Sequence, residues 1–148
     1  MLLDGQAALN ARYNKTHGSL AGKHTDVPGM SKSAIPILHA AGIRGYHIGY
    51  TGACNKPESV PPISRWQHPA SGTEVILMAE NNYGTTIRVP GSPAMLAFMY
   101  QIDNSGLPTA EAVLAFWSFI RAQYPNSTPI VSSLDDYVKD GTRTIIAL

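Results

Sequence analysis

In the segment KHTDVPG, residues 23–29, His24 and Asp26 stand two apart, directly ahead of a Pro-Gly pair. The residues before Val27 suit the end of a β-strand, where side chains two apart project to the same side. Pro28 and Gly29 then force a turn. A carboxylate at the carboxyl end of a strand, ahead of a turn and a helix, occupies the place where α/β proteins keep their chemistry. The plainer reading is an aspartate that bonds nearby backbone N–H groups as a turn residue. Both readings of Asp26 stand open at this point.

Other candidates are fewer. His47 lies on the strand that follows the Asp26 helix, and strands joined by one crossover helix are usually neighbours, so it can be brought toward the Asp26 end of the sheet. Its plainer reading is a histidine satisfied on a sheet face. Trp66 and Tyr83, near the ends of later strands, are of the type that stacks on sugar rings, or equally of the type that fills a core. His39 reads as structural, and His17 and His68 are loop histidines with no visible partner. A His-x-Asp pair does not make a zinc site, because catalytic zinc takes about three protein ligands.

Positioning these groups requires an α/β framework. Helices are expected over 2–14, after Ser33 and over 109–125; Ser33 can cap the second, Pro36 falls at its third position and Gly42 ends it. The third helix carries Val113, Phe116, Trp117, Ile120 and Tyr124 on one stripe, which predicts packing against a sheet. Strands are expected at GYHIGYT, TEVILMAEN, TTIRV, MLAFMYQI and TPIVSS, and TGACNKPESVPPIS reads as a loop that walls a site.

Composition narrows the function classes. Charged residues make up only 14% of the 148, against roughly 25% in ordinary soluble domains, and the formal net charge is +1. No basic cluster marks a nucleic-acid binder, so no nucleic-acid partner is expected. A single cysteine, Cys54, excludes an intrachain disulfide and a multi-cysteine zinc site. The amino terminus is a poor secretory signal, and no apolar run approaches the roughly 20 residues of a membrane span. The chain reads as soluble with no membrane partner, in a compartment the sequence does not reveal.

These residues resemble a known family. DVPGMSKSAIPILHAAGI resembles the nucleophile segment of glycoside hydrolase family 38, the α-mannosidases, in which an Asp-x-Phe-Gly-x-Ser stretch leads into a helix ending in Ala-Gly. SRWQHPASGTEVILMAENNYG resembles that family's Trp-Arg segment. A still nearer likeness is to a related domain family of unknown function that carries the pattern seen at His24–Gly29, His47–Gly49, Val60–Pro62 and Asp103–Gly106. The likeness spans about Leu2–Val138, and the ordered succession is more specific than any single motif.

The resemblance implies a partial seven-stranded (β/α) barrel, mainly parallel, and a zinc-dependent retaining glycoside hydrolase acting on carbohydrate. Asp26 matches the nucleophile, which in that family also touches the zinc, and His24, His47, Trp66 and Tyr83 become candidate substrate contacts. Pro28 stands where the mannosidases have Phe and Met30 where they often have His, departures that bear on the substrate. The family's separate His-x-Asp ligand pair and its last histidine ligand have no counterpart here. The chain is therefore expected to be one domain, an internal slice of a larger catalytic domain with a divergent tail at 139–148. Zinc is expected in the full domain rather than in this chain alone. Such a slice is expected to be inactive and to leave an apolar sheet edge open to self-association; the alternative is a non-catalytic carbohydrate-binding or pseudoenzyme module.

Overall fold

A computed structural model describes residues 2–14, 18–81, 83, 86–88, 93–100 and 105–145. The chain is mixed α/β: α1 (Leu2–Arg12), β1 (Ala21–Val27), α2 (Ala34–Ala40), β2 (Gly45–Tyr50), β3 (Ile63–Gln67), β4 (Glu74–Asn81), β5 (Thr86–Arg88), β6 (Met95–Ala97), α3 (Ala110–Gln123) and α4 (Leu134–Ile145). Four strands form one sheet in the order β1-β2-β4-β3. The first three run parallel and β3 lies antiparallel along β4, while β5 and β6 pair as a separate antiparallel ribbon. Among the described residues the sheet does not close into a barrel, and no helix is long and apolar enough to cross a membrane.

Register decides which residues meet. Lys23 stands opposite His47, and His47 opposite Met78; two residues on, Thr25, Gly49 and Glu80 form the next row. Because side chains alternate along a strand, Lys23, His47, Met78 and Glu80 share one face, and Tyr46, Ile48, Leu77 and Ala79 the other. α2 covers the second face, burying Ile35 and Leu38 beside Val75. The first face is covered by Ile87 of β5 and by Tyr137 and Val138 of α4, packed with Met78. Asp135 ties α4 to the sheet, its Oδ1 accepting from the amides of Leu20 at 3.1 Å and Ala21 at 2.8 Å.

Several expectations change on inspection. α2 begins after Ser33 and stops at Gly42 with φ +86°, but the Ser33 hydroxyl bonds Ser31 at 2.8 Å instead of capping the helix. The segment TPIVSS forms no strand; Ile130 and Val131 are 75% and 87% exposed, because no neighbouring strand offers them a ladder. The expected 95–102 strand ends at Ala97 among the described residues. β3, at the end of the Pro-rich loop, was hidden by that loop's turn-formers and is an edge strand, where nearby prolines are tolerated. Of the α3 stripe only Ile120 is buried, so α3 does not pack closely on the sheet as its periodicity predicts. The tail is not featureless: α4 begins at Leu134 and runs into it, opened by Ser133 and Asp136, whose side chains bond each other at 2.7 Å. His17, Asp103 and Asn104 lie outside the described residues.

The β1 edge of the sheet is polar. It presents Lys23, His24 and Asp26, all exposed. Charged side chains on an edge discourage edge-to-edge pairing.

Candidate functional site

Asp26 lies at the carboxyl end of β1, a strand parallel to its neighbour. The ladder steps from Thr25↔Gly49 to Val27↔Tyr50, so Asp26 is an extra, unpaired residue, a bulge, with φ +59°. Bulges re-aim a side chain and recur beside active sites. Left-handed backbone costs an L-residue roughly 1–2 kcal/mol, though aspartate tolerates it better than most. Beyond it Gly29, at φ +133°, lets the chain turn against the Tyr50 ring, 3.5 Å from where a Cβ would stand. The exposed Asp26 carboxylate takes no hydrogen bond among the described residues, so it is not bonding the amides of the turn it precedes.

The other sequence candidates do not converge on Asp26. His24 is exposed, on the α2 side of the sheet, its ring edge-on to Tyr46 at 6.2 Å. The bulge ends the period-two alternation between Thr25 and Val27, so the expectation that His24 and Asp26 share a face loses its geometric basis. His47 is on the opposite face from His24, opposite Lys23 rather than Asp26, and 0% exposed, which removes it from direct contact with a sugar. Trp66 pairs with Val75 on the far edge strand and packs into the core on the α2 side. Three strand spacings and about five residues of rise place it roughly 20 Å from Asp26, at the other end of the sheet. Tyr83 lies just past β4, at the same end of the sheet as Asp26, stacked on Tyr100 at 5.4 Å.

The polar layer inside the first face was not foreseen. Lys23 Nζ donates to the Tyr83 carbonyl at 2.8 Å, sits 3.3 Å from His47 Nδ1 and lies over the Phe98 ring at 4.1 Å. As an ammonium it can only donate, which makes Nδ1 the acceptor and leaves the ring proton on Nε2. Nε2 faces Glu80 Oε2 at 3.7 Å, beyond hydrogen-bond range, and has no hydrogen-bond partner among the described residues. Burial pushes the His47 pKa down, with Glu80 opposing and Lys23 adding to the shift. Burial also pulls Lys23 down to about 8 against the attraction of Glu80. Tyr137, whose hydroxyl donates to the Ile87 carbonyl at 3.2 Å, is pushed up to about 12 by burial and by Glu80. The available signal was Glu80, the one charge inside the apolar run VILMAEN, two residues from Met78 and so on its face.

These shifts set a pH profile. Below its ordinary value of 6.5 the unfolded chain protonates His47 while the fold resists, so stability is lost as pH falls through that range. Lys23 costs stability while it is buried as an ammonium; that cost is relieved as pH rises from about 8 toward 10.5. Tyr137 keeps its proton in the fold up to about 12, so its contribution is lost as pH climbs past 10. Denaturant midpoints are therefore expected to rise from pH 5.5 to about 9 and to fall above 10. A midpoint that declines between pH 7 and 9 contradicts the part-buried Lys23–His47 contact.

Compared with protein-family models, with curated proteins and with solved structures, the chain matches none.

Proposed function

We propose that this chain is the nucleophile-bearing part of a retaining glycoside hydrolase of the α-mannosidase type, built on part of a seven-stranded (β/α) barrel, with Asp26 as nucleophile. The observation that carries the reading is the Asp26 corner: a carboxylate at the carboxyl end of a parallel strand, exposed, on left-handed backbone and unused by its own turn. Strained backbone of this kind is a pointer toward function when local structure does not require the residue. In the proposed reaction an Asp26 oxygen attacks the anomeric carbon as the glycosidic C–O bond breaks and its oxygen takes a proton from a separate carboxylic acid; water, deprotonated by that same carboxylate, later hydrolyses the glycosyl ester and releases Asp26.

The chain's part in that reaction is partial. Retaining hydrolysis needs a second carboxyl group roughly 5 Å from the first. Glu80, the carboxylate that register brings nearest, belongs to the Thr25 row but two strand spacings away, about 10 Å between backbones, and faces His47. Among the described residues no three of His, Cys, Asp and Glu converge, so these residues do not by themselves fit a zinc centre. In the complete domain, zinc would orient sugar hydroxyls, and Asp26 is the ligand this chain would lend it.

A second reading, a non-catalytic carbohydrate-binding module, is favoured by one observation: the stacked Tyr83–Tyr100 pair leaves Tyr100 41% exposed at the Asp26 end of the sheet. Assay of the purified chain with aryl α-mannosides, and zinc analysis after dialysis, tests the first reading. No turnover and less than one zinc per chain are expected. Turnover abolished by Asp26→Ala would show that the chain completes its own site, for instance across a homo-oligomer. Turnover that survives Asp26→Ala overturns the nucleophile assignment.

A further inference from the structure

The polar layer under the β5–β6 ribbon sets an amine against a histidine, with a carboxylate near the histidine's far side. Lys23 Nζ is 3.3 Å from His47 Nδ1, and His47 Nε2 is 3.7 Å from Glu80 Oε2. An attacking group against a histidine is the pairing by which nucleophiles are activated, and here a carboxylate stands near the far side of that ring, beyond hydrogen-bond range. His47 is fully buried and its ring is held on Phe98 at 4.6 Å, whereas Lys23 stands on the edge strand β1, exposed as a residue, with its Nζ turned inward over Phe98. The amine is thus only half withdrawn from solvent, while the base behind it is fully buried.

We propose that Lys23 is a reactive amine that condenses with small aldehydes to form an imine, with His47 as its proton acceptor and Glu80 steadying the protonated ring. The neutral Nζ lone pair attacks the carbonyl carbon and the C=O π pair moves to oxygen, giving a carbinolamine. One nitrogen proton passes through His47 Nδ1 to that oxygen and completes its hydroxyl, and the second nitrogen proton then passes to Nδ1. His47 returns it to the departing hydroxyl, water leaves and the C=N bond forms, so aldehyde plus amine gives imine plus water with no change in oxidation state. Among the described residues, the charged and titratable groups that face Lys23 or its base are His47 from β2, Glu80 from β4 and, through Glu80, Tyr137 from α4. This inference does not depend on the glycosidase reading, because Asp26 takes no part in it.

Burial lowers Lys23 to about 8, so a large share of it is neutral near that pH. Against an ordinary lysine this is about a 200-fold gain in free amine, of which weaker basicity takes back part, leaving roughly tenfold in rate. The test is incubation of the purified chain with glycolaldehyde, borohydride reduction of any imine and mass mapping of each lysine. Lys23 is expected to label about tenfold faster than the exposed Lys32 and Lys139 at pH 8, with a rate midpoint near pH 8. His47→Gln, if folded, is expected to slow Lys23 while leaving Lys32 unchanged. Lys23 labelling no faster than Lys32, or with a midpoint near 10.5, overturns the proposal in the unmutated protein alone, whatever His47→Gln does.

Discussion

Gly45→Val is expected to destabilise the fold by about 3 kcal/mol or more, the largest loss anticipated for any single substitution considered. Gly45 is buried at the start of β2, and the Val138 side chain of α4 lies where its Cβ would be, nearer than real Cβ contacts allow. The blocking atoms belong to a β-branched side chain with little freedom to rotate away. α4 must then lift, uncovering Val138 and Tyr137 and the side of Met78 they protect. Denaturant unfolding reads this directly. Gly45→Ala is expected to cost roughly 1–3 kcal/mol, and the pair Gly45→Ala with Val138→Ala less than the sum of its parts, as contacting residues couple. A Gly45→Val chain as stable as its parent contradicts the seating of α4 on the sheet.

Asp26→Gly is expected to act in opposite directions on stability and on sugar binding. Glycine at φ +59° escapes the left-handed penalty of roughly 1–2 kcal/mol, while its greater freedom in the unfolded chain takes back about 0.4–1 kcal/mol. The net expectation is a gain of roughly 0.5–1 kcal/mol, with sugar binding at the corner abolished. That pairing would mark a position where the fold carries a strained residue for function. Loss of stability in Asp26→Gly would instead show that the carboxylate supports the turn.

Much of the framework was legible because it rests on local signals. Pro28-Gly29, the Pro36 position and Gly42 fix the ends of α2, and the apolar runs at 45–50 and 74–81 are buried on both faces as parallel strands must be. What escaped was non-local. Lys23 meets His47 only through the β1–β2 register, and a bulge of one residue at Asp26 is not written in KHTDVPG, although it breaks the alternation that would have joined His24 to Asp26. The periodic stripe of α3 states that an apolar face exists, not that this chain supplies the surface to cover it, and Val113, Phe116 and Trp117 remain only half-buried. Trp66 shows the same limit: aromatic character suits a sugar platform or a core, and only the strand order β1-β2-β4-β3 places it at the wrong end of the sheet for Asp26.

The central claim, that the Asp26 corner is a sugar-directed site, is tested most directly by titrating the purified chain with a mannose-configured iminosugar, followed by ligand-observed NMR at pH 7. The ring nitrogen of such a compound replaces the ring oxygen and is cationic, next to the anomeric position where positive charge develops, so an exposed carboxylate held at the strand end should attract it. A partial site predicts weak binding, on the order of 1 mM, about 4 kcal/mol of binding free energy. Asp26→Asn, which keeps the shape and removes the charge, should weaken it at least about tenfold. Equal binding by the Asp26→Asn chain, or no binding by the unmutated one, would contradict the account.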